Sequence, residues 1–156
     1  MTNIIFIKDG LYHSGRDITT AGDFFVNTLH RNLNIEESVA TSLLEGHTET
    51  SVDASMLTRT LEYAMDELAS GLEMAFSYYK STEKEATIDR MIISGGGSYI
   101  SGMIKFLEDR FNTVVTVTNP LAYLQHDPGL FGVVNPQQIS SFMSVAIGLA
   151  LRKVED

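Results

Sequence analysis

Cysteine is absent from the 156 residues, so the chain has no disulfide framework, no thiolate nucleophile and no sulfur-ligated zinc site. That composition fits the cytosol. Positive charge is also scarce: 11 Lys and Arg stand against 20 Asp and Glu, a formal net charge of -9. Such a surface repels a nucleic-acid duplex or an anionic leaflet on average, which argues against nucleic acid and bare membrane as partners, although acidity of this size also serves solubility alone. The opening stretch MTNIIFIKDG has no basic segment and only a short apolar run, unlike a signal peptide or a membrane span. Direct membrane insertion is not expected. No internal repeat is visible.

What the chain does contain is ordinary for a globular protein: 44% hydrophobic and 20% charged residues, in a length that suits one domain or two small subdomains. Two β-rich runs, 4–8 and 11–18, flank Asp9-Gly10, a dipeptide that favours a tight hairpin. Phe24, Phe25, Leu29 and Leu33 recur at helical spacing, which predicts a helix over 23–33 with Asp23 placed to cap it. A weaker helical segment, 35–45, ends at Gly46. After the polar stretch HTETSVD, the apolar stripe Leu57, Leu61, Ala64, Leu68, Leu72, Ala75, Phe76 and Tyr79 predicts the longest helix, 54–79. The polar KSTEKEAT then leads to a strand at 89–94, three glycines, a helix over 101–111, a strand at 114–117, and a last helix over 138–152 behind a loop with Gly129, Gly132 and Pro136. The order β-β-α-α-α-β-α-β-α predicts a mixed α/β fold, with a hairpin at one side of the sheet and a parallel β-α-β unit at the other.

The chemistry concentrates at Gly95, Gly96, Gly97 and Ser98. Glycines at a strand's carboxyl end let backbone amides approach a ligand, and the following helix adds its positive end. The same glycines could serve only to pack strand against helix. Neither G-x-G-x-x-G nor a following lysine is present, so the two common nucleotide fingerprints are missing. His13, His30, His47 and His126 are scattered without metal-ligand spacing, and Ser98 has no G-x-S-x-G elbow. Met56, Met65 and Met74 lie on or beside the long helix, where packing competes with an adaptable partner groove. The pairs Glu36/Glu37 and Asp66/Glu67 read as exposed helix faces, because adjacent carboxylates on a helix point about 100° apart.

IDRMIISGGGSYISGM, NTVVTVTNPL and SFMSVAIGLALR resemble, in order, the carboxyl-terminal half of the PilM family, the actin-like type IV pilus assembly proteins related to FtsA. FIKDGLYHSGRDITTAGD resembles the hairpin that opens the same region, so the similarity spans nearly the whole chain. The resemblance implies the second lobe of an actin/Hsp70/sugar-kinase fold: one lobe over 1–156, a small inserted subdomain over about 19–52, and a sheet subdomain with a C-terminal helix. It places Gly95, Gly96, Gly97 and Ser98 beside the adenosine of a bound ATP and Gly148 in the helix that links the lobes. It also implies partners among the pilus inner-membrane proteins, chiefly the cytoplasmic tail of PilN, and a cytoplasmic location peripheral to the inner membrane.

The departures qualify these expectations. The family's first lobe and its Asp-Ile-Gly phosphate turn are not in this sequence; Thr41 and Leu44 replace the family's Glu and Lys, while Ala40 matches, and Ser101 replaces a proline. ATP is thus expected in the intact family member rather than on this chain alone. Without the Asp-Ile-Gly strand, the hairpin is expected either to pair with the glycine-turn strand or to accept a strand from a second copy, which makes a homo-oligomer a candidate. The resulting expectation is a structural and interaction module of pilus assembly and not an enzyme. One rival is half of a degenerate nucleotide-binding or kinase-type ATPase, which needs a metal-holding aspartate that neither Asp89 nor Asp109 supplies. The other is an acidic scaffold without a pilus role.

Overall fold

The computed structural model describes residues 1–47, 52–83, 86–132 and 136–152. Most of HTETSVD, the middle of KSTEKEAT and part of the loop before the last helix lie outside these residues. The chain forms two compact units, Met1–Ile88 and Asp89–Asp156.

In the first unit, β1 (Thr2–Lys8) and β2 (Leu11–Ile18) form an antiparallel hairpin. Asp9 and Gly10 turn the chain with φ of 52° and 79°, the two positive values that a tight two-residue turn demands and that Asp-Gly supplies. A bulge between Phe6 and Ile7 shifts the register so that Ile7 faces Tyr12 and Lys8 faces Leu11. Strand alternation sends Ile4 and Phe6 to one face and Ile5 and Ile7 to the other. The first face is covered: Phe6 stacks flat on Tyr79 at 4.4 Å between ring centres, within a cluster that includes Ala75 and is flanked by Ile4, Phe76, Ala86 and Ile88. The second face leaves Ile5 and Ile7 62% and 66% exposed.

Tyr79 and Ala75 belong to α3 (Ala54–Thr82), which Asp53 caps by accepting the amides of Ser55 and Met56. Its buried stripe also carries Ala64, Met65, Ala69 and Leu72; it packs with α1 (Gly22–Leu33), on which α2 (Glu37–Leu44) packs in turn, and the two shorter helices add Phe25, Leu29, Ala40 and Leu43 to the core. Gly71 is small for a reason, since a Cβ there would lie 3.0 Å from the Ile18 Cδ1. The expected Asp23 cap is corrected: the helix begins one residue earlier, behind an extended Ala21 with no side-chain cap. Asp23 sits in the first turn, where its charge complements the helix dipole without capping an amide.

In the second unit, β3 (Arg90–Ile93) and β4 (Val114–Val117) run parallel, and α4 (Met103–Phe111) connects them. The helix starts two residues later than its sequence suggests, because Gly96–Tyr99 wind as a 3-10 turn and Gly102 takes φ 81° ahead of it. Met103, Leu107 and Val115 are buried. The last helix is not continuous. It divides into α5 (Pro136–Ile139), a 3-10 turn (Ser140–Met143) and α6 (Ser144–Ala150), since successive serines bond with groups outside the helix.

The mixed α/β class holds, with both the hairpin and the parallel unit present. They are two separate two-stranded sheets, however, and among the described residues β1 pairs only with β2 and β3 only with β4. Direct pairing of the hairpin with the glycine-turn strand is therefore not observed; the apolar side of β1 is satisfied by α3.

Candidate functional site

The glycine turn leaves β3 at its carboxyl end, and the three glycines have three different local situations. Gly95 takes φ 87°, a conformation that a Cβ would strain. Gly96 lies under a ring: an added Cβ would meet Phe142 Cε1 at 2.9 Å. Gly97 has neither constraint, for its φ is not left-handed and nothing lies within 4 Å of an added Cβ. Backbone conformation explains Gly95 and packing explains Gly96, which leaves the third, and Gly96 and Gly97 both reach the surface.

Ser98 is buried and faces inward. Its hydroxyl donates to the Gly95 carbonyl at 2.6 Å and lies 3.1 Å from the Ser141 hydroxyl. Ser141 accepts the Gly95 amide at its hydroxyl (2.9 Å) and at its carbonyl (3.2 Å), while Ser94 donates to the same carbonyl at 3.0 Å. Thr118, just past β4, donates to Ser141 at 3.2 Å and bonds with Ser144 at 2.9 Å. The turn is thus held by a cluster of hydroxyls drawn from three segments, with the Tyr99 ring stacked on Phe142 at 5.5 Å above it.

Beside the turn, at the carboxyl end of β4, lies an open cleft of about 680 Å³ lined by Ser98, Tyr99, Lys105, Glu108, Thr118 and Asn119 among others. Clefts at this end of a parallel sheet are the usual place for a ligand. Lys105 donates to Asp109 at 2.9 Å, and that bond holds its ammonium above the ordinary lysine range. Glu108 accepts the Val115 amide at 3.2 Å, so the cleft's carboxylate helps to close the strand-helix packing. Of the four residues singled out in the sequence, only Ser98 borders this cleft.

Other candidates lie apart from the turn. His13 meets Glu83 at 3.2 Å and His47 meets the Ser42 carbonyl at 3.3 Å, while His126 packs edge-on against Phe131. Met65 is core, whereas Met56 and Met74 face solvent. Thr41, which stands where the family carries an acid, bonds back to the Glu37 carbonyl at 2.9 Å and lines a shallow recess of about 550 Å³ with Asp23, Asn27 and Glu37 in the first unit. Ser141, Phe142, Thr118 and Tyr99 were not singled out in the sequence. The clustered serines at 140, 141 and 144 were the one available signal.

A family model described as type IV pilus assembly protein PilM matches residues 1–154. The chain belongs to this family. A solved structure described as a PilM-PilN type IV pilus biogenesis complex is similar with a TM-score of 0.79 at 22% identity, over 99% of this chain and 43% of that one. The fold is therefore that of the matched chain of this complex, and this chain spans less than half the length of that relative. No curated protein matches. Among the described residues no helix is long and apolar enough to cross a membrane.

Proposed function

We propose that this PilM-family chain is an interaction module of type IV pilus assembly that carries one face of a nucleotide site and turns over no nucleotide by itself. The observation that carries the reading is Gly97: it is exposed, its missing side chain is demanded by neither backbone strain nor packing, and a ligand approaching the backbone would demand it. The family membership gives that ligand a class, ATP, whose adenosine would lie against Gly96 and Gly97, with Gly95 and Ser98 holding the turn from behind. When bound, ATP would favour closure of two lobes around it and so act as a switch.

The residues present fit only the adenosine face. Phosphoryl transfer needs placed positive charge and a metal-holding carboxylate. Here the cleft's cation, Lys105, is bonded to Asp109, and Thr41 and Leu44 occupy the positions where the family carries an acid and a lysine. The phosphates would be held by a preceding lobe. On this reading α1 and α2 form the small inserted subdomain. The partner is a PilN-like cytoplasmic segment, which would bring the module to the inner membrane from the cytoplasm; a second copy could cover the open edge of the hairpin.

Titration of this chain with magnesium-ATP, alongside capture by an immobilised PilN-type cytoplasmic tail, tests the reading. The expected results are capture with the preceding lobe present and an affinity for ATP well weaker than micromolar without it. Micromolar binding by this chain alone would overturn the one-faced site, and failure of the two-lobed protein to bind the tail would overturn the partner. In the two-lobed protein, Gly97→Gln is expected to weaken ATP binding while leaving the melting temperature in place.

A further inference from the structure

The C-terminal helix breaks beside the glycine turn, and the residue at the break is bonded on every side. Ser98 gives its proton to the Gly95 carbonyl at 2.6 Å, so toward Ser141, 3.1 Å away, it can only accept, and Ser141 must donate. The Ser141 oxygen then receives the Gly95 amide at 2.9 Å and the Thr118 hydroxyl at 3.2 Å. One proton and two lone pairs are all that a hydroxyl has, and all are used. The Ser141 carbonyl meanwhile accepts from Ser94 at 3.0 Å and from the second arm of the Gly95 amide at 3.2 Å, and the Ser144 hydroxyl, 3.0 Å away, divides its single proton between this carbonyl and Thr118. Its own amide donates to the Tyr99 hydroxyl at 3.3 Å. Ser141 is 1% exposed, so water cannot stand in for these partners.

We propose that Ser141 is the positioning residue of the glycine turn, and that through it the turn and α6 move as one body. Ligand contact at Gly96 and Gly97 is then registered at α6, whose side chains Val145 and Leu149 are exposed. This rests on the turn being ligand-facing. The geometry favours Ser141 over its neighbour for this role. Ser140 is as deeply buried, at 0% exposure, but bonds the Leu121 amide at 3.1 Å. Among the described residues, Ser141 bonds to the backbone or side chains of Ser94, Gly95, Ser98 and Tyr99 and also meets Ser144, the first residue of α6. A carbonyl and a hydroxyl on one residue fix both distance and angle, which a single bond would not.

Amide hydrogen exchange on the 156-residue chain tests the proposal. Ser141→Ala should raise exchange across Gly95–Ile100 and Ser144–Ala150 together, by about tenfold, as expected for the loss of one or two net hydrogen bonds. Ser140→Ala should leave Gly95–Ile100 at the wild-type rate. Faster exchange in α6 alone after Ser141→Ala, or equal effects of the two variants on the turn, would overturn it. If Ser141→Ala does not fold, Thr118→Val removes one bond to Ser141 without emptying its space, and the paired rise is then read there; a rise in only one segment counts against the clamp. A packing role alone would not carry a ligand signal, so the second arm adds millimolar magnesium-ATP. Exchange should slow in both segments of the wild type and only in the turn of Ser141→Ala. Slowing of α6 in both proteins would show that the signal does not pass through Ser141. If ATP slows neither segment in the wild type, the nucleotide reading of the turn fails, while the paired rise without ligand still decides whether the clamp exists.

Discussion

The two units of this chain are held by different physics. In Met1–Ile88 the hairpin meets its helix through rings and aliphatic groups, with Phe6 flat on Tyr79 and Ile18 against Gly71, and the contacts are non-directional. In Asp89–Asp156 the two strands are short and the hydroxyls of Ser94, Ser98, Thr118, Ser141 and Ser144 join the strand ends to the broken helix. A hydrophobic contact tolerates sliding, whereas a saturated hydroxyl specifies angle as well as distance. The polar arrangement sits at the turn proposed to meet a ligand, where position counts for most; the apolar one sits where bulk stability is made.

The comparison can be broken most forcefully at Phe6. Phe6→Ala is expected to lower stability by about 3–5 kcal/mol in urea unfolding, while Ile5→Ala, on the exposed face of the same strand, should change it by less than about 0.5 kcal/mol. Equal effects would mean that the hairpin is not held by its inner face. At the turn the glycines should separate. Gly96→Ala, which drives a methyl into Phe142, should cost about 1–3 kcal/mol, and Gly97→Ala should stay within about 0.5 kcal/mol of wild type in the same measurement. Thr118→Val should cost about 1 kcal/mol through its bonds to Ser141 and Ser144, and a double-mutant cycle with Ser141→Ala should show coupling.

The smallest effect belongs to pH. The hydrogen bond from Lys8, followed by that from His13, holds the Glu83 carboxyl below its ordinary value. A depressed carboxylate stabilises above the unfolded-state value and loses that contribution as pH falls through the folded one. A modest loss of stability on acidification below the usual glutamate range is therefore expected, and Glu83→Gln should abolish that part of the pH dependence. Because these groups are solvated, added salt should shrink it further.

The local elements were legible wherever one residue type has one physical consequence. Asp9-Gly10 announced the hairpin because few other dipeptides accept two positive φ values, and the stripe from Leu57 to Tyr79 announced α3 because its period is that of a helix. The glycine turn was legible as a place of backbone access, but not which glycine served what. That distinction depends on Phe142, 46 positions from Gly96, whose ring covers one glycine and leaves the next open. The break in the last helix was hidden for a similar reason: periodicity through Phe142, Val145 and Leu149 continues across it, while the serines that interrupt it act through partners just past β3 and β4.

By itself the sequence determined the class of this protein: an acidic, cysteine-free α/β chain with a hairpin, a long amphipathic helix and a glycine turn after a strand, in an order shared with the PilM family. Each of those features follows from local backbone preference or from periodicity, which neighbours along the chain suffice to set. Tertiary structure alone decided that the strands form two sheets, that Gly97 is the unconstrained glycine, and that Ser141 clasps the turn. The clasp and the ring over Gly96 depend on groups more than 40 residues apart coming into contact, and a hydrogen bond exists only when both ends are in place.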